Sequence, residues 1–229
     1  MTKENQKSFS RFNIIFRIQH ILLMLSSIVL GVSGFALLWH STEVAKMIIS
    51  IGGGYTGRAY IHRIAAIILI FDGLWHLLYI LFSKDAHNEF LKIIPSFSDF
   101  KELAKAVSYY LSNNKEFPKF KKFNFIQKFQ YWGVVLGMMI MILSGLALWF
   151  KDISMMILPK WAMDVLLTLH GREGLLAFLV LFLWHQYNVH LNPSVFPMDK
   201  IWLTGRISED RLKKEHYLEY EEIIKTNLN

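Results

Sequence analysis

Four long apolar stretches constrain what this 229-residue chain can fold into more than any other feature of its sequence. They cover residues 18–39, 61–82, 130–150 and 161–189. Each is 21 to 29 residues long, and about 20 residues are enough for an α-helix to cross the hydrocarbon core of a bilayer. Hydrophobic residues make up 53% of the composition, a share that a soluble domain can also reach. The grouping of these residues into four long stretches is what identifies a membrane protein. The sequence therefore predicts an all-α integral membrane protein with four spans.

Basic residues are distributed unevenly among the segments that join the spans. Nineteen of the 25 lysines and arginines lie before or at Arg17, between Lys84 and Lys128, or after Asn192. By the positive-inside rule, both termini and the long middle loop face the cytoplasm, in a bacterial-type inner membrane that the chain crosses several times. The net charge of +7 thus follows from topology, and we expect no nucleic-acid partner.

The first apolar stretch is expected to remain in the mature protein. It is longer than the apolar core of a secretory signal, and no small-residue cleavage site follows it.

The sequence contains an internal repeat. "FNIIFRIQH" from Phe12 corresponds to "FNFIQKFQY" from Phe123, and "SGFALLW" from Ser33 corresponds to "SGLALWF" from Ser144, both at an offset of 111 residues. Spans two and four match more loosely, through an "LWH" in each. The repeat predicts two related helical hairpins packed into a four-helix bundle, with a ligand site in its core.

The bundle divides the chain into a membrane domain and a tail. The membrane domain is predicted over residues 1–205, with short cytoplasmic surface helices in the loop 84–125. Residues 206–229 are strongly charged, and they are predicted to form a cytoplasmic helical tail.

Five of the nine histidines fall inside the predicted spans, where an ionisable residue is a functional candidate by default: His20, His62, His76, His170 and His185. Those of span two are 14 residues apart and those of span four are 15 apart, so each span carries one imidazole near each membrane face. A heme iron binds between two facing imidazoles, and the absence of cysteine excludes covalent heme attachment. The pattern predicts two non-covalent, bis-histidine hemes of the b type. His62 and His170 form the outer pair, whereas His20, His76 and His185 compete for the two inner positions.

The motifs around these histidines resemble those of the four-helix diheme cytochrome b family. Its members include formate dehydrogenase gamma subunits and the cytochrome b subunits of nickel-iron hydrogenase and thiosulfate reductase. The similar stretches are "FRIQH", "IHR", "FNFIQKFQYWGVVLGMMIMILSGLALWF" and "WHQYNVHLNPSVFPMD", within about residues 11–205. The resemblance implies His62 with His170 for the outer heme and His20 with His185 for the inner one. His76 departs from that pattern, and its spacing resembles the cytochrome b of quinol-oxidising complexes, which would pair it with His185.

Four further residues are candidates for cofactor binding. Arg17, Arg63 and Arg172 lie near the membrane faces, where each either pairs with a heme propionate or extends to the interface. His190 follows His185 by five residues, about 140° around an α-helix, so it is not expected to face the same heme. It is instead a candidate for a quinone site or a propionate contact. Asp72, in the middle of span two, is a candidate for a proton relay.

The resemblance implies an electron-transfer subunit rather than a stand-alone enzyme. Electrons would pass between membrane quinone, as substrate, and a redox partner subunit on the outer, periplasmic face. That partner would be a dehydrogenase, a reductase or a multiheme cytochrome. The same intramembrane histidines also allow a metal or proton transporter, which is the alternative function, and a structural anchor would carry them as packing residues.

Overall fold

The computed structural model describes residues 7–111, 119–193 and 195–228. Four of its helices are long and apolar enough to cross a membrane: Ile14–Leu38, Gly54–Phe82, Phe125–Trp149 and Lys160–Leu191. Large apolar side chains such as Phe71 and Leu143 are exposed on these helices, as expected for surfaces that face lipid. The prediction of an all-α, four-span membrane protein is confirmed.

The helices and strands follow one another in a simple order along the described chain. In sequence they are β1 (Ser8–Ser10), α1 (Ile14–Leu38), α2 (Glu43–Ile51), α3 (Gly54–Phe82), α4 (Lys84–Ile93), α5 (Phe97–Leu111), α6 (Phe125–Trp149), α7 (Lys151–Ile157), α8 (Lys160–Leu179), α9 (Ile201–Thr204), β2 (Arg206–Ser208), α10 (Glu209–Glu215) and α11 (Tyr217–Leu228).

Span two begins seven residues earlier than the apolar stretch that predicted it. Helix α3 starts at Gly54 rather than Ile61, because hydropathy marks the lipid core and not the helix end. The turn between α2 and α3 needs glycine, since Gly53 and Gly54 have φ values of 82° and 78°. A Cβ at Gly57 would lie 2.1 Å from the Gly52 carbonyl oxygen, so this turn also depends on a glycine inside the helix.

Span four changes its helical type toward its C-terminal end. Helix α8 continues without a break into π-helical turns at Val180–His185 and Tyr187–Leu191. The amide of Asn192 donates to the carbonyl of Tyr187, five residues earlier, at 2.8 Å. π-Helical turns are rare and are frequent at functional sites.

The chain divides into two compact units. The first, which we call the histidine unit, consists of residues 15–77 and 134–199 and contains most of the four spans. The second, the terminal unit, consists of the described residues within 1–14, 78–133 and 200–229.

The terminal unit contains a small sheet that the sequence did not predict. Strands β1 and β2 pair antiparallel, with Phe9 opposite Ile207. Their apolar side chains join a core formed by Ile201, Ile207 and Leu212, against which Phe9 and Tyr220 pack. The charged tail is therefore not only a solvated helix, because its apolar minority is buried against the N-terminal strand.

A buried charged cluster lies beside this core. The Arg11 guanidinium forms an ion pair with Glu219 and also donates to the carbonyl of Lys122. His216 is 3% exposed; its Nδ1–H donates to the carbonyl of Lys121 at 2.7 Å, and its Nε2 accepts from Arg11 at 3.0 Å. The N-terminal segment, the middle segment and the tail are thus held together by one arginine and one neutral histidine.

This cluster is expected to make the terminal unit sensitive to acid. Burial, and next the nearby positive charge of Arg11, lowers the pKa of His216 from 6.5 to about 4. The unfolded unit therefore binds more protons than the folded one between these values. The contribution of His216 is fully present above pH 6.5 and is lost as the pH falls toward 4, for a total of about 3 kcal/mol. Proteolysis within the tail, followed from pH 7.5 to 4, should accelerate over this interval.

The matched variant is His216→Gln, which keeps a polar side chain but cannot titrate. Its tail should be cleaved at a rate that changes much less between pH 6.5 and 4. An unchanged pH profile in this variant would mean that the acid sensitivity comes from other groups that face the cluster, among which are Glu215, Glu219 and Arg211.

Candidate functional site

His62 of α3 and His170 of α8 face each other inside the histidine unit. Their ring centroids lie 6.4 Å apart, with an angle of 70° between the ring planes. Both rings are partly buried. The structure therefore brings together the two histidines that the sequence predicts as the outer pair.

A serine of α1 orients the first of these rings. The hydroxyl of Ser33 donates to the carbonyl of Val29, one helical turn earlier, at 2.6 Å. Because its proton is used in that bond, the same oxygen accepts from Nδ1–H of His62, at 2.8 Å. The proton of the neutral imidazole is thus held on Nδ1, and the lone pair of Nε2 is left for a ligand.

The repeat reproduces this arrangement on the second ring. Ser144 of α6 donates to the carbonyl of Ile140 at 2.6 Å and lies 2.9 Å from Nδ1 of His170. Ser144 is 1% exposed, among the most buried side chains of the described chain. Both histidines of this pair are therefore in the tautomer whose Nε2 can bind a metal.

A glycine follows each serine and leaves room for the ring. A Cβ at Gly34 would lie 3.5 Å from Cε1 of His62, and a Cβ at Gly145 would lie 3.1 Å from Cε1 of His170. The "SG" of each half of the repeat therefore combines a hydrogen-bond acceptor with a site of close approach between helices.

The two glycines are expected to differ in their tolerance of alanine. The methyl group of Gly145→Ala would force the His170 ring to move, at a cost of about 1–3 kcal/mol. That of Gly34→Ala would make only ordinary contact and would gain up to about 1 kcal/mol of helix propensity. The amount of heme retained per purified chain should fall in the first variant and stay near the wild-type value in the second. Equal heme contents would contradict the role of Gly145 in placing His170.

A second histidine pair involves the other end of span four. His20 of α1 and His185, in the π-helical end of span four, have ring centroids 6.2 Å apart and ring planes at 49°. His170 and His185 lie 15 residues apart on span four, or roughly 22 Å at the α-helical rise, which separates the levels of the two pairs.

His76 has a different environment from the ring that faces His185. Its Nδ1–H donates to Oε1 of Gln19 at 2.9 Å, and its ring packs against Phe16 at 5.9 Å. Gln19 is 4% exposed and comes directly before His20. In this structure His20 approaches His185, whereas His76 is held against α1.

The spacing within each pair fits a bis-histidine heme. Two bonds of about 2 Å between a metal and imidazole nitrogens, with about 1 Å from each nitrogen to its ring centre, separate the ring centroids by about 6 Å. The observed 6.4 Å and 6.2 Å agree with this value.

Two arginines offer unused hydrogen-bond donors near these pairs. The Nε atoms of Arg17 and Arg58 are buried, and neither finds a hydrogen-bond partner among the described residues. Arg17 lies one turn before His20, and Arg58 lies one turn before His62 and donates from another nitrogen to the Ser33 carbonyl at 2.8 Å. Half-buried guanidinium groups with an unused Nε–H donor fit the carboxylates of heme propionates.

Sequence reasoning proposed Arg17 but missed Arg58. The signal was present, because Arg58 precedes His62 by four residues and the two side chains therefore share a helix face. A predicted span that begins at residue 61 leaves Arg58 in a connection, so hydropathy does not mark it as a site residue.

The other two arginine candidates have different surroundings. The guanidinium of Arg63 lies over the ring of Trp149, 5.2 Å from its centroid. Arg172 is exposed on α8, beside a surface groove lined by Asp164, Thr168 and other residues. It follows His170 by two residues, or about 200° of helix rotation, which turns it away from the His62–His170 pair.

His190 requires a correction. The expected rotation of about 140° from His185 assumed an α-helix, and that assumption is wrong because the segment is π-helical. With hydrogen bonds from i to i+5, residues five apart lie on the same side of the helix. His190 interacts electrostatically with both His20 and His185, so it belongs to their surroundings.

Two acidic side chains lie along the spans between the levels of the two pairs. Asp72 is 5% exposed, and its Oδ1 has no hydrogen-bond partner within the described ranges. Glu173 points at α6, with Oε1 3.0 Å from where a Cβ of Gly137 would lie. The sequence identified Asp72 as a candidate proton relay, and the structure adds that this residue is buried.

Apolar helices that enclose facing imidazoles in the tautomer that binds a metal through Nε2 are typical of membrane cytochromes that bind heme b. A model of the family described as "Prokaryotic cytochrome b561" matches residues 10–195, which is most of the chain, and the protein belongs to this family. It is accordingly a multi-pass bacterial membrane protein that binds heme b and transfers electrons. No curated protein matches the chain.

Proposed function

We propose that this protein is a diheme cytochrome b that passes electrons between membrane quinone and a redox partner subunit. The observation that carries the proposal is the presence of two histidine pairs, with ring centroids 6.4 Å and 6.2 Å apart, at two levels of one helical unit. His62 and His170 hold one heme, and His20 and His185 hold the other. Heme supplies the one-electron chemistry, and the protein fixes its position, potential and surroundings.

The chain's own residues have three roles in this scheme. The serines keep the Nδ1 protons of His62 and His170 in place, so that both Nε2 atoms are available as ligands. Arg17 and Arg58 neutralise propionate charge near the two levels. The apolar spans exclude water, which strengthens these polar contacts.

The quinone site is proposed beside the His20–His185 pair. On span four, Leu179, Val180, Leu183, Trp184 and Tyr187 line an open apolar groove on the exposed surface of the π-helical stretch. A lipid-soluble quinone reaches such a surface from the bilayer, and the neighbouring His190 is a group able to exchange protons with it. Both observations favour this end of the helices over the His62–His170 end.

The proposed orientation rests on the distribution of lysine and arginine. The His20–His185 pair lies toward the cytoplasm, with both termini, and the His62–His170 pair lies toward the periplasm, where the partner subunit binds. The absence of cysteine makes this testable, because single cysteines are introduced without background. A membrane-impermeant maleimide applied to spheroplasts should label His40→Cys and should not label His87→Cys. The reverse pattern would invert the proposed topology.

Formate dehydrogenase gamma subunits and the cytochrome b subunits of nickel-iron hydrogenase and thiosulfate reductase are the proposed functional models. The partner is then a dehydrogenase, a reductase or a multiheme cytochrome. The alternative of a metal transporter finds no specific support in the described residues, among which no group of three or more histidine or acidic side chains could hold a metal ion.

The first experiment measures heme content and quinol reactivity on the same preparation. The protein is purified in detergent from a heme-sufficient host, and its heme per chain is measured as the pyridine hemochrome. Two low-spin b hemes per chain are expected, and duroquinol should reduce part of this heme. A single heme would contradict the diheme assignment. Two hemes that no quinol reduces, and that no quinone reoxidises, would contradict the quinone assignment alone.

A further inference from the structure

The two halves of the repeat support the ligands of one heme in the same way. Ser33 and Ser144 occupy equivalent positions, 111 residues apart, on α1 and α6. Each lies beside Nδ1 of a histidine on the following span, at 2.8 Å and 2.9 Å. Each serine hydroxyl also donates a hydrogen bond of 2.6 Å to a carbonyl in the preceding turn of its own helix.

This second bond determines what the serines do to the imidazoles. It locks the serine rotamer and consumes the hydroxyl proton, so the oxygen presents only lone pairs to the histidine. An imidazole that donates from Nδ1 to a fixed acceptor becomes a more basic ligand through Nε2. A more basic ligand stabilises the oxidised iron and lowers its reduction potential.

The other histidine level is built from less closely repeated sequence. There, Nδ1–H of His76 donates a hydrogen bond to the amide oxygen of Gln19. At the repeat position of His20, the second half carries Tyr131. The duplicated sequence has thus kept the serine–histidine arrangement in both halves around His62 and His170, whereas His20 has no histidine counterpart in the second half.

We propose that Ser33 and Ser144 are paired positioning residues that fix the tautomer and ring orientation of His62 and His170 and thereby lower the potential of one heme selectively. The inference rests on the proposed ligation of a heme by these two histidines. It assigns to the "SG" motif of each hairpin a function in tuning that heme, in addition to helix packing.

The test is a spectroelectrochemical titration of the wild type, of both single alanine variants and of Ser33→Ala/Ser144→Ala, with heme per chain measured on each sample. In the double variant the potential of one heme should rise and that of the other should not change. The electron paramagnetic resonance signal of the same heme should shift, because its imidazole planes are no longer held. Each single variant should show a smaller effect.

Two controls separate tuning from packing. Ser26 is equally buried on α1 and donates to the carbonyl of Leu22 at 2.7 Å, but among the described residues no histidine lies beside its hydroxyl. Ser26→Ala should therefore leave both potentials unchanged. Ser33→Thr/Ser144→Thr keeps both hydroxyls and should return the potential toward the wild-type value.

Every outcome decides the proposal. A rise confined to one heme, or loss of that heme alone with recovery in the threonine variant, supports it. Unchanged potentials and resonance signals in a double variant that retains both hemes would overturn it, as would an equal shift in Ser26→Ala. If the wild type holds no heme, or if His62→Ala and His170→Ala retain both hemes, the ligand assignment itself has failed.

Discussion

Replacing His62 or His170 with alanine is expected to remove one heme from each chain and to leave the other in place. The two rings face each other with centroids 6.4 Å apart, so each variant leaves a heme with one axial ligand and a cavity where the other imidazole was. Changing a residue that only supports a metal ligand typically costs 10–100-fold in affinity, and loss of the ligand itself should exceed this. The pyridine hemochrome should fall from two hemes per chain to one in either variant.

The two variants also test each other. Because both ligands belong to one heme, His62→Ala/His170→Ala should retain the same single heme as each single variant. His40→Ala is the matched control, since His40 is exposed just beyond the end of α1 and bonds to a backbone carbonyl. A double variant that retains no heme would place the two histidines on different hemes.

Replacing His20 with alanine is expected to remove the other heme, whereas His76→Ala should retain it. The structure places the His20 ring 6.2 Å from His185 and directs Nδ1 of His76 to Gln19. His185→Ala should match His20→Ala in heme content and in the spectrum of the heme that remains. The measurement is heme per chain together with the reduced-minus-oxidised spectrum of each variant.

This comparison decides between the two ligand sets that the sequence left open. Loss of a heme in His76→Ala with retention in His20→Ala would select the pattern of quinol-oxidising complexes. Gln19→Ala serves as the control for packing, because it removes the contact of His76 with α1 and leaves both rings in the chain. Because His76 is not expected to be a ligand, Gln19→Ala should retain both hemes, as His76→Ala should.

Much of the histidine unit was predictable because membrane helices leave strong periodic signals. Apolar runs of 21 to 29 residues identified the four spans, and spacings of 14 and 15 residues identified two levels of imidazoles. Helix ends were predicted less well, since α3 begins at Gly54 with a turn of glycine and polar residues that hydropathy does not detect. That error moved Arg58 out of the span and hid it as a candidate.

Other parts of the molecule depend on contacts between distant segments. The pairing of β1 with β2 joins residues about 200 positions apart, and three-residue strands carry no readable alternation. The Arg11–His216 cluster likewise joins three segments, each of which resembles an ordinary basic or charged surface in the sequence.

The sequence by itself determined the class of the protein, its four spans, the duplication of its hairpins and the five intramembrane histidines. These follow from length, composition and spacing along single helices, which local physics controls. Only the tertiary structure decided which imidazoles face each other, that Ser33 and Ser144 hold two of them, and that π-helical turns bring His190 to the side of His185. Those features depend on how helices rotate and approach one another, and a one-dimensional pattern does not fix that geometry.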